Sequence, residues 1–370
     1  MSPETILAQL VSFPSVVGTP NGPIVEFVRD YFSGHSVPAT VLPGPEGDRS
    51  NLFATIGPRD VPGYILSGHL DVVPANEPQW QSDPFALRRD GDKLIGRGAC
   101  DMKGFVAAIL SAVPDLVERR LPVPVHFALS YDEEAGSRGV PHMIKELPRL
   151  CAPPVGCIVG EPSEMIPILR HKGKAALRIV ARGVSGHSSR TDLGSNAIHK
   201  LLPVLAAAVE TAEALKGGPL DTSFEPPYST LQVGVIRGGA AINIIPDTAE
   251  LHVEARAIAG MDPSELLEPV RRAVGPDTDI ETLSSYPPLA MNEHHPFTGF
   301  VEGLVGRRSV AAVSYGTEAG LFQQAGVPTI ICGPGDIERA HKPEEFLTLK
   351  ELHDARSLVV ALAEHIGSAG

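Results

Sequence analysis

Five side chains of the types that bind metal ions follow short apolar stretches of this sequence: His69, Asp101, Glu134, Glu161 and His341. Imidazole nitrogens and carboxylate oxygens without a thiolate are typical of a catalytic zinc site, where the protein ligands leave a position for water. Two histidines and several carboxylates are enough for two metal ions, and one carboxylate can bridge such a pair through its two oxygens. The pattern therefore predicts metal-assisted chemistry.

The segments before these residues indicate how the fold would bring them together. His69, Glu134 and Glu161 each come after a short apolar run that turn residues end, which is typical of a buried strand. In open α/β sheets, ligands bind at the carboxyl ends of the strands. We therefore expect the side chains to converge at one edge of a sheet, with Asp101 as the ligand that touches both metals.

Two further carboxylates could act beside the metals. Asp71 lies two residues after His69, and on extended backbone its carboxylate could accept the other N–H of that imidazole and orient it. Glu133 and Glu134 are adjacent, so on extended backbone they point apart. One of them is expected to bind metal and the other to take a proton from the water, and the spacing alone leaves the order open.

The first half of the chain predicts an α/β domain. Strand-like and helix-like segments alternate between residues 41 and 160, which is typical of a mostly parallel sheet. Ser2 and Pro3 are of the types preferred at the cap and the first position of a helix. Another helix is expected over residues 103–113, and Pro114 should end or kink it.

After residue 173 the pattern changes to that of a smaller domain. The order strand, helix, strand, strand, helix, strand is that of the ferredoxin-like split βαβ fold. The expected elements span residues 175–181, 196–215, 230–236, 248–257, 263–274 and 279–283. We predict a catalytic domain of residues 1–173 and 282–370, into which residues 174–281 insert as an α+β domain.

The helix expected over residues 196–215 should cover one face of the small sheet, with Ser195 as its N-cap. Its apolar residues are Ile198, Leu201, Leu202, Leu205, Ala208, Val209, Ala212 and Leu215.

Composition excludes several classes of function. A chain of 370 residues with 43% hydrophobic residues is long enough for two cores. The net charge of −13 and the lack of a basic stripe argue against a nucleic-acid partner. No basic and apolar leader or membrane-length apolar stretch is visible. The four cysteines lack zinc-ribbon spacing, so we expect reduced thiols in a cytoplasmic enzyme with no membrane partner.

The motifs around these residues resemble those of the metallo-aminopeptidase and deacylase family, which includes acetylornithine deacetylases, succinyl-diaminopimelate desuccinylases, aminoacylases and glutamate carboxypeptidases. The matching segments are spread over most of the chain and are Ser67-Gly68-His69-Leu70-Asp71-Val72-Val73-Pro74, Gly96-Arg97-Gly98-Ala99-Cys100-Asp101-Met102-Lys103-Gly104, Asp132-Glu133-Glu134, Gly160-Glu161-Pro162, Gly186-His187-Ser188-Ser189 and Ala340-His341-Lys342-Pro343. The resemblance implies a mostly parallel sheet with helices on both faces, as in zinc peptidases.

The resemblance also implies how the ligands are shared between two Zn²⁺ ions, or two Co²⁺ ions, in each subunit. One ion would take His69, Asp101 and Glu161, and the other Asp101, Glu134 and His341. Glu133 would then be the general base, and the peptide bond after Asp101 would be cis.

For the inserted domain, the resemblance implies a lid and a homodimer contact. His187 would stabilise the oxyanion, commonly in the partner's site, while Asn243 and Arg256 would hold the substrate. From the residues alone, Arg256 could equally lie on the solvated face of a strand, and Asn243 could be a turn residue.

Within the family, the chain is most similar to the acetylornithine deacetylases, through segments such as Tyr315-Gly316-Thr317-Glu318-Ala319. This implies removal of the acetyl group from N2-acetyl-L-ornithine, a step of arginine biosynthesis. The alternatives are succinyl-diaminopimelate desuccinylation and broad N-acyl-amino-acid deacylase or dipeptidase activity. Gly316, Thr317 and Glu318 are expected to bind the substrate, with Glu318 near its ammonium group. Glu318 could instead cap the following helix. A metal-free receptor for a similar ligand is the rival from another class.

Overall fold

The computed structural model describes residues 1–368, except for the side chain of Ser368. The chain forms two compact units. The first comprises Met1–Leu169, Met291–Ala311 and the chain from Thr317 onward, and the second comprises Arg170–Ala290 and Ala312–Gly316.

The helices and strands have the following bounds. The α-helices are α1 (Pro3–Val11), α2 (Gly22–Gly34), α3 (Lys103–Ser111), α4 (Val113–Glu118), α5 (Val140–Leu150), α6 (Ala197–Leu215), α7 (Glu268–Arg272), α8 (Pro296–Val305), α9 (Ala319–Gln324) and α10 (Leu349–Ser368). The strands are β1 (Ala39–Pro43), β2 (Ser50–Ile56), β3 (Tyr64–His69), β4 (Arg88–Asp90), β5 (Lys93–Ile95), β6 (Val125–Ser130), β7 (Gly156–Pro162), β8 (Arg170–His171), β9 (Gly173–Arg182), β10 (Gly186–His187), β11 (Thr230–Gly238), β12 (Ile244–Ile245), β13 (Thr248–Ala257), β14 (Thr278–Tyr286), β15 (Leu289–Ala290), β16 (Thr329–Gly333) and β17 (Phe346–Thr348). Short 3₁₀ helices span Thr191–Leu193, Glu265–Leu267 and Ile337–Arg339.

The first unit is built on a six-stranded sheet in the order β1-β2-β6-β3-β7-β16. Strands β6, β3, β7 and β16 are mutually parallel, whereas β2 runs antiparallel to β6 and β1 antiparallel to β2. Strand β7 is buried at every residue, as expected for a parallel strand covered on both faces. The predicted α/β fold with a mostly parallel sheet and helices on both faces is confirmed.

Helix α3 is the centre of one layer beside this sheet. It is buried at every residue and packs against α1, α10 and β3. Helix α1 begins as expected, since the hydroxyl of Ser2 accepts the backbone N–H of Thr5. The helix predicted over residues 103–113 ends at Ser111, because Pro114 occupies the first turn of the separate helix α4.

The second unit contains a four-stranded antiparallel sheet in the order β11-β13-β9-β14. With α6 and α7 between the strands, this order is that of the ferredoxin-like fold. Strand β13 alternates buried Leu251, Val253 and Ala255 with half-buried polar residues. The buried face packs with Leu201, Val204 and Ala208 of α6, so this unit has a core of its own.

Two local expectations in this unit are wrong. Asn196, and not Ser195, caps α6, because its side-chain oxygen accepts the backbone N–H groups of Ile198 and His199. The helix expected over residues 263–274 is a 3₁₀ turn followed by the short helix α7, in which Pro269 occupies the first turn.

The sequence predicted that all the apolar residues of α6 face the sheet, but only some of them do. Leu201 is buried, whereas Ile198, Leu202 and Val209 are exposed. The helix therefore presents a second apolar stripe on its outer side.

The predicted insertion, residues 174–281, lies within the second unit, which also includes residues on either side and Ala312–Gly316. Its role as a lid or dimer contact stays a prediction. Residues 369 and 370, assigned to the catalytic domain, lie outside the described residues. No helix in the described part of the chain is both long and apolar enough to cross a membrane.

Candidate metal centre

The five predicted ligands come together within the first unit, at the carboxyl edge of the parallel strands. His69 is the last residue of β3, and Glu161 lies near the end of β7. Glu134 follows β6 by a short turn, Asp101 lies two residues before α3, and His341 follows the 3₁₀ turn before β17. Strand ends thus position His69, Glu134 and Glu161, whereas turns position the other two.

Asp101 lies between the two histidines. Its Oδ1 is 3.0 Å from Nε2 of His69, and its Oδ2 is 3.4 Å from Nε2 of His341. Glu161 Oε1 lies 3.9 Å from Nε2 of His69, while Glu134 Oε2 lies 3.0 Å from Nε2 of His341. Each histidine therefore has its own carboxylate and shares Asp101. This is the arrangement of ligands implied for two metals.

The donor chemistry fits divalent cations. Two sets of ligand atoms lie within 4.8 Å of one another, namely His69 with Glu133 and Glu161, and His69 with Asp101 and Glu134. The carboxyl groups among these residues are buried, and buried carboxylates are unfavourable unless positive charge compensates them. Nitrogen and oxygen donors suit Zn²⁺ and Co²⁺.

The pKa values reflect this concentration of charge. Burial, reinforced by the neighbouring carboxylates, raises the pKa of Glu133 to about 8 and that of Glu134 to about 7. Burial and the charge of Asp101 hold the pKa of Glu161 well above its usual value. Hydrogen bonds to Asp101 and Glu134 raise the pKa of His341 to about 10. The carboxylates thus create a field that favours bound cations.

The sequence also matches known proteins over nearly its whole length. Residues 65–365 match the model of peptidase family M20/M25/M40. The acetylornithine deacetylase of Photorhabdus laumondii subsp. laumondii is 33% identical in an alignment of 375 positions that covers 97% of this chain and 96% of the relative. The acetylornithine deacetylase of Yersinia pseudotuberculosis serotype O:1b is 34% identical, over 95% of this chain and 92% of the relative.

This chain belongs to peptidase family M20/M25/M40. Solved structures share its fold at low sequence identity. An M20 family metallo-carboxypeptidase from Sulfolobus solfataricus superposes with a TM-score of 0.81 at 18% identity, with all of both chains covered. A dinuclear metal-binding M20 peptidase from Bacillus subtilis has a TM-score of 0.64 at 18% identity, over 99% of this chain and 98% of that one. The protein is therefore a metallo-hydrolase of the M20 family, and the expected family resemblance is confirmed.

In this M20 protein, the hydrogen bond predicted between the carboxylate of Asp71 and His69 is not formed. Nδ1 of His69 lies 2.9 Å from the backbone carbonyl oxygen of Asp71, whereas the Asp71 carboxylate is 3.6 Å away. Strand β3 ends at His69, so the extended geometry assumed for this pair does not continue to Asp71. The carboxylate instead accepts the backbone N–H groups of Glu133 and Glu134, each at 3.1 Å. It organises the turn that carries both glutamates.

Glu133 and its turn have further supports. The hydroxyl of Ser137 donates to Glu133 Oε1 at 3.0 Å. Asp132, which has a φ of 51°, accepts a hydrogen bond from the backbone N–H of Gly18 at 2.8 Å and forms an ion pair with Arg49. Sequence reasoning missed the role of Asp132, although it lies in the same acidic motif. The peptide bond after Asp101 is cis, as the family resemblance implied.

The placement of Glu318 does not fit the predicted contact with a substrate ammonium group. Its side chain is 0% exposed, and its two oxygens accept the hydroxyls of Ser67 and Ser130, each at 2.6 Å. Nor does it cap α9 through its side chain, since Thr317 Oγ1 accepts the backbone N–H of Ala319 instead. Thr317 is itself buried. Glu318 joins the carboxyl ends of β3 and β6 beneath the candidate centre.

The other predicted substrate residues lie in the second unit. His187, on β10, is exposed, and its strand pairs with β12 next to Asn243, whose carbonyl accepts the backbone N–H of Ser188. The backbone N–H of Ser189 donates to Nδ1 of His187 at 3.2 Å, so a neutral ring carries its proton on Nε2. His187 can thus act as a hydrogen-bond donor.

Arg256 is on the half-buried polar face of β13, as the alternation predicted. It pairs with Glu254 and donates to the hydroxyl of Tyr286 at 3.2 Å. Gly316 lies against the same tyrosine, since a Cβ there would approach the ring within 2.5 Å. Tyr286 therefore joins two residues predicted to bind substrate, and it was not identified from the sequence.

Proposed function

We propose that this protein hydrolyses the amide bond of N2-acetyl-L-ornithine, giving L-ornithine and acetate, at a centre of two Zn²⁺ or Co²⁺ ions. The observation that carries the hydrolytic chemistry is Asp101, whose two oxygens face two different histidines. The choice of substrate is supported by relatives at 33% and 34% identity that carry the name acetylornithine deacetylase.

The proposed ligands are His69, Asp101 and Glu161 for one ion, and Asp101, Glu134 and His341 for the other. When bound, such ions polarise an acyl carbonyl and lower the pKa of water. Glu133 is left free of this set as the base. One of its oxygens is held by Ser137, and the other can take a proton from the attacking water.

Glu133 then returns this proton to the nitrogen of the leaving amine. The water oxygen first bonds to the acyl carbon to give a tetrahedral intermediate, and the carbon–nitrogen bond breaks when this intermediate collapses and the nitrogen receives the proton. Without bound metal the pKa of Glu133 is about 8, and nearby cations would lower it toward neutral pH, where a carboxylate can both take up and release a proton. Burial is the main cause of that pKa.

His187 is proposed to donate from Nε2 to the oxyanion of the tetrahedral intermediate, since Nδ1 already accepts from Ser189. Asn243 and Arg256 are proposed to hold the substrate, together with Gly316. Asp71 supports Glu133 by fixing its turn.

A homodimer through the second unit is part of the proposal. Its support is the outer apolar stripe of α6, formed by Ile198, Leu202 and Val209, and the exposed Ile236 on the edge strand β11. Exposed apolar patches commonly mark interaction surfaces.

A cytoplasmic location is also part of the proposal. The four cysteines are free and buried, which supports it.

A panel of substrates tests the proposed reaction. We expect zinc- or cobalt-loaded protein to show a higher kcat/KM for acetyl-ornithine than for succinyl-diaminopimelate or acetyl-methionine. A preference for acetyl-methionine would favour the broad deacylase, and a preference for succinyl-diaminopimelate the desuccinylase. Protein purified without chelator should contain metal. If the purified protein contains no metal and gains no activity when zinc or cobalt is added, the metal-free receptor would be favoured.

A further inference from the structure

Glu345 is a buried carboxylate that accepts hydrogen bonds from the loop carrying Asp101. Its Oε1 accepts the backbone N–H of Cys100 at 2.9 Å and that of Asp101 at 3.0 Å. Its Oε2 accepts the backbone N–H of Gly98 at 3.1 Å and Nη1 of Arg97 at 2.8 Å. The side chain is 1% exposed. One carboxylate thus satisfies four donors of a single loop.

These bonds matter because a buried backbone N–H without a partner is costly. The loop turns sharply at Gly98, which has a φ of 82°. A conformation of this kind cannot be held by a regular ladder of helix or strand hydrogen bonds. The N–H groups converge instead on an anion, as in other backbone anion sites.

The same residue connects two separate parts of the candidate centre. Glu345 follows His341 by four positions, and Arg97 also donates to the carbonyl of Lys342 at 3.3 Å. The loop of Asp101 is therefore joined to the segment of His341 through buried, charge-assisted contacts. The distance between Asp101 and His341 depends on this connection.

We propose that Glu345 is a positioning residue of the metal centre, which fixes the Asp101 loop against the His341 segment so that Asp101 faces both histidines. Glu345 is not a ligand itself, because both of its oxygens already accept N–H groups. The inference rests on the proposed two-metal centre and adds a residue to it.

The test is the variant Glu345→Gln. An amide keeps the size of the side chain but presents one NH₂ group, so two of the four loop donors would face another donor. We expect the full chain, depleted of metal, to bind Co²⁺ about 10- to 100-fold more weakly by calorimetry, the usual effect of removing a group that orients ligands. The visible absorption spectrum of bound Co²⁺ should also change.

Glu351→Gln is the matched control. Glu351 lies in the same part of the chain, forms an ion pair with Arg339 and accepts the backbone N–H of Thr348. Among the described residues, none of its hydrogen bonds reaches residues 97–101. It should lower thermal stability while leaving the affinity for Co²⁺ and the spectrum unchanged. If Glu345→Gln does not fold, the shorter Glu345→Asp, which keeps the charge, should show a smaller loss in the same direction.

Wild-type affinity for Co²⁺ in a folded Glu345 variant, or an equal loss of affinity in Glu351→Gln, would overturn the positioning role alone. Failure of the wild-type chain to bind Co²⁺ would instead overturn the proposed metal centre, and this inference with it.

Discussion

The carboxylate of Asp71 accepts the backbone N–H of Glu133 at 3.1 Å, while the backbone carbonyl of Asp71 contacts Nδ1 of His69. Asp71 therefore touches the candidate base through its side chain and the candidate ligand through its main chain. Substitutions of the side chain can separate these two contacts.

The variant Asp71→Asn should affect catalysis more than metal binding. The amide presents an NH₂ group to one of the two backbone donors of the glutamate turn, whereas the carbonyl facing His69 is retained. We expect kcat to fall by about 10- to 100-fold, because small displacements of a catalytic group are costly. Calorimetric titration with zinc should give an affinity close to wild type. A large loss of zinc affinity with unchanged kcat at saturating metal would restore the sequence-based role of Asp71.

Glu133→Gln should retain both metals and lose activity. Glu133 is assigned as the base and not as a ligand, and removal of a general base costs roughly 10²- to 10⁴-fold in turnover. Glu134→Gln is the comparison variant and should weaken one metal. If metal analysis shows that the Glu133 variant loses a metal ion and the Glu134 variant keeps both, the two roles are reversed.

His187→Ala should lower kcat by about 10²- to 10³-fold, with a smaller effect on KM, because it removes a donor to the oxyanion. Mixing this variant with Glu133→Gln under subunit exchange examines where His187 acts. Recovered activity would show that His187 acts in the site of the partner subunit. If mixed dimers form and no activity is recovered, His187 acts in the site of its own subunit.

Much of the candidate site follows from strand ends, which sequence patterns indicate well. His69 and Glu161 could be placed at the edge of the sheet because apolar runs precede them. The roles of Glu318 and Glu345 could not be predicted in this way, since Glu318 meets Ser67 across 251 positions and Glu345 meets Cys100 across 245. The hydrogen bond expected from His69 to the carboxylate of Asp71 goes to its backbone carbonyl instead, because strand β3 ends at His69. Contacts that depend on tertiary packing have no local signal.

Glu318→Gln should change kcat/KM by the same factor for acetyl-ornithine and acetyl-methionine, and only slightly. The carboxylate is buried against two serine hydroxyls, which can each donate or accept, so an amide can replace it with only local rearrangement. Parallel measurements of kcat/KM on the two substrates check this. A loss confined to acetyl-ornithine would mean that Glu318 does recognise the ammonium group.

Protonation of His126 should make a destabilising contribution to the first unit in mild acid. Burial, with a smaller contribution from the charge of Arg59, lowers the pKa of this residue to about 4. Its Nδ1 contacts the hydroxyl of Thr55, whereas its Nε2 has no hydrogen-bond partner among the described residues. An unfolded histidine titrates near 6.5, so the unfolded chain binds more protons between pH 6.5 and 4. The contribution of neutral His126 to the free energy of unfolding is therefore fully present above pH 6.5 and is lost as the pH falls toward 4.

At pH 5 this histidine should cost on the order of 2 kcal/mol relative to pH 7. Denaturant unfolding of metal-depleted protein at the two pH values measures the effect. Between pH 7 and pH 5, the variant His126→Gln should lose less stability, or gain more, than the wild type by about this amount. An identical pH dependence in the variant and the wild type would exclude His126 as the cause.

The central claim is that a two-metal centre around Asp101 hydrolyses acetyl-ornithine. Its most direct test is a titration of metal-depleted protein with Zn²⁺ in which bound metal and hydrolysis of N2-acetyl-ornithine are measured on the same samples. We predict that binding saturates at about two ions per chain, as expected for a bridged pair, and that activity rises with it. Saturation at one ion, or two bound ions without hydrolysis of acetyl-ornithine, would contradict the account.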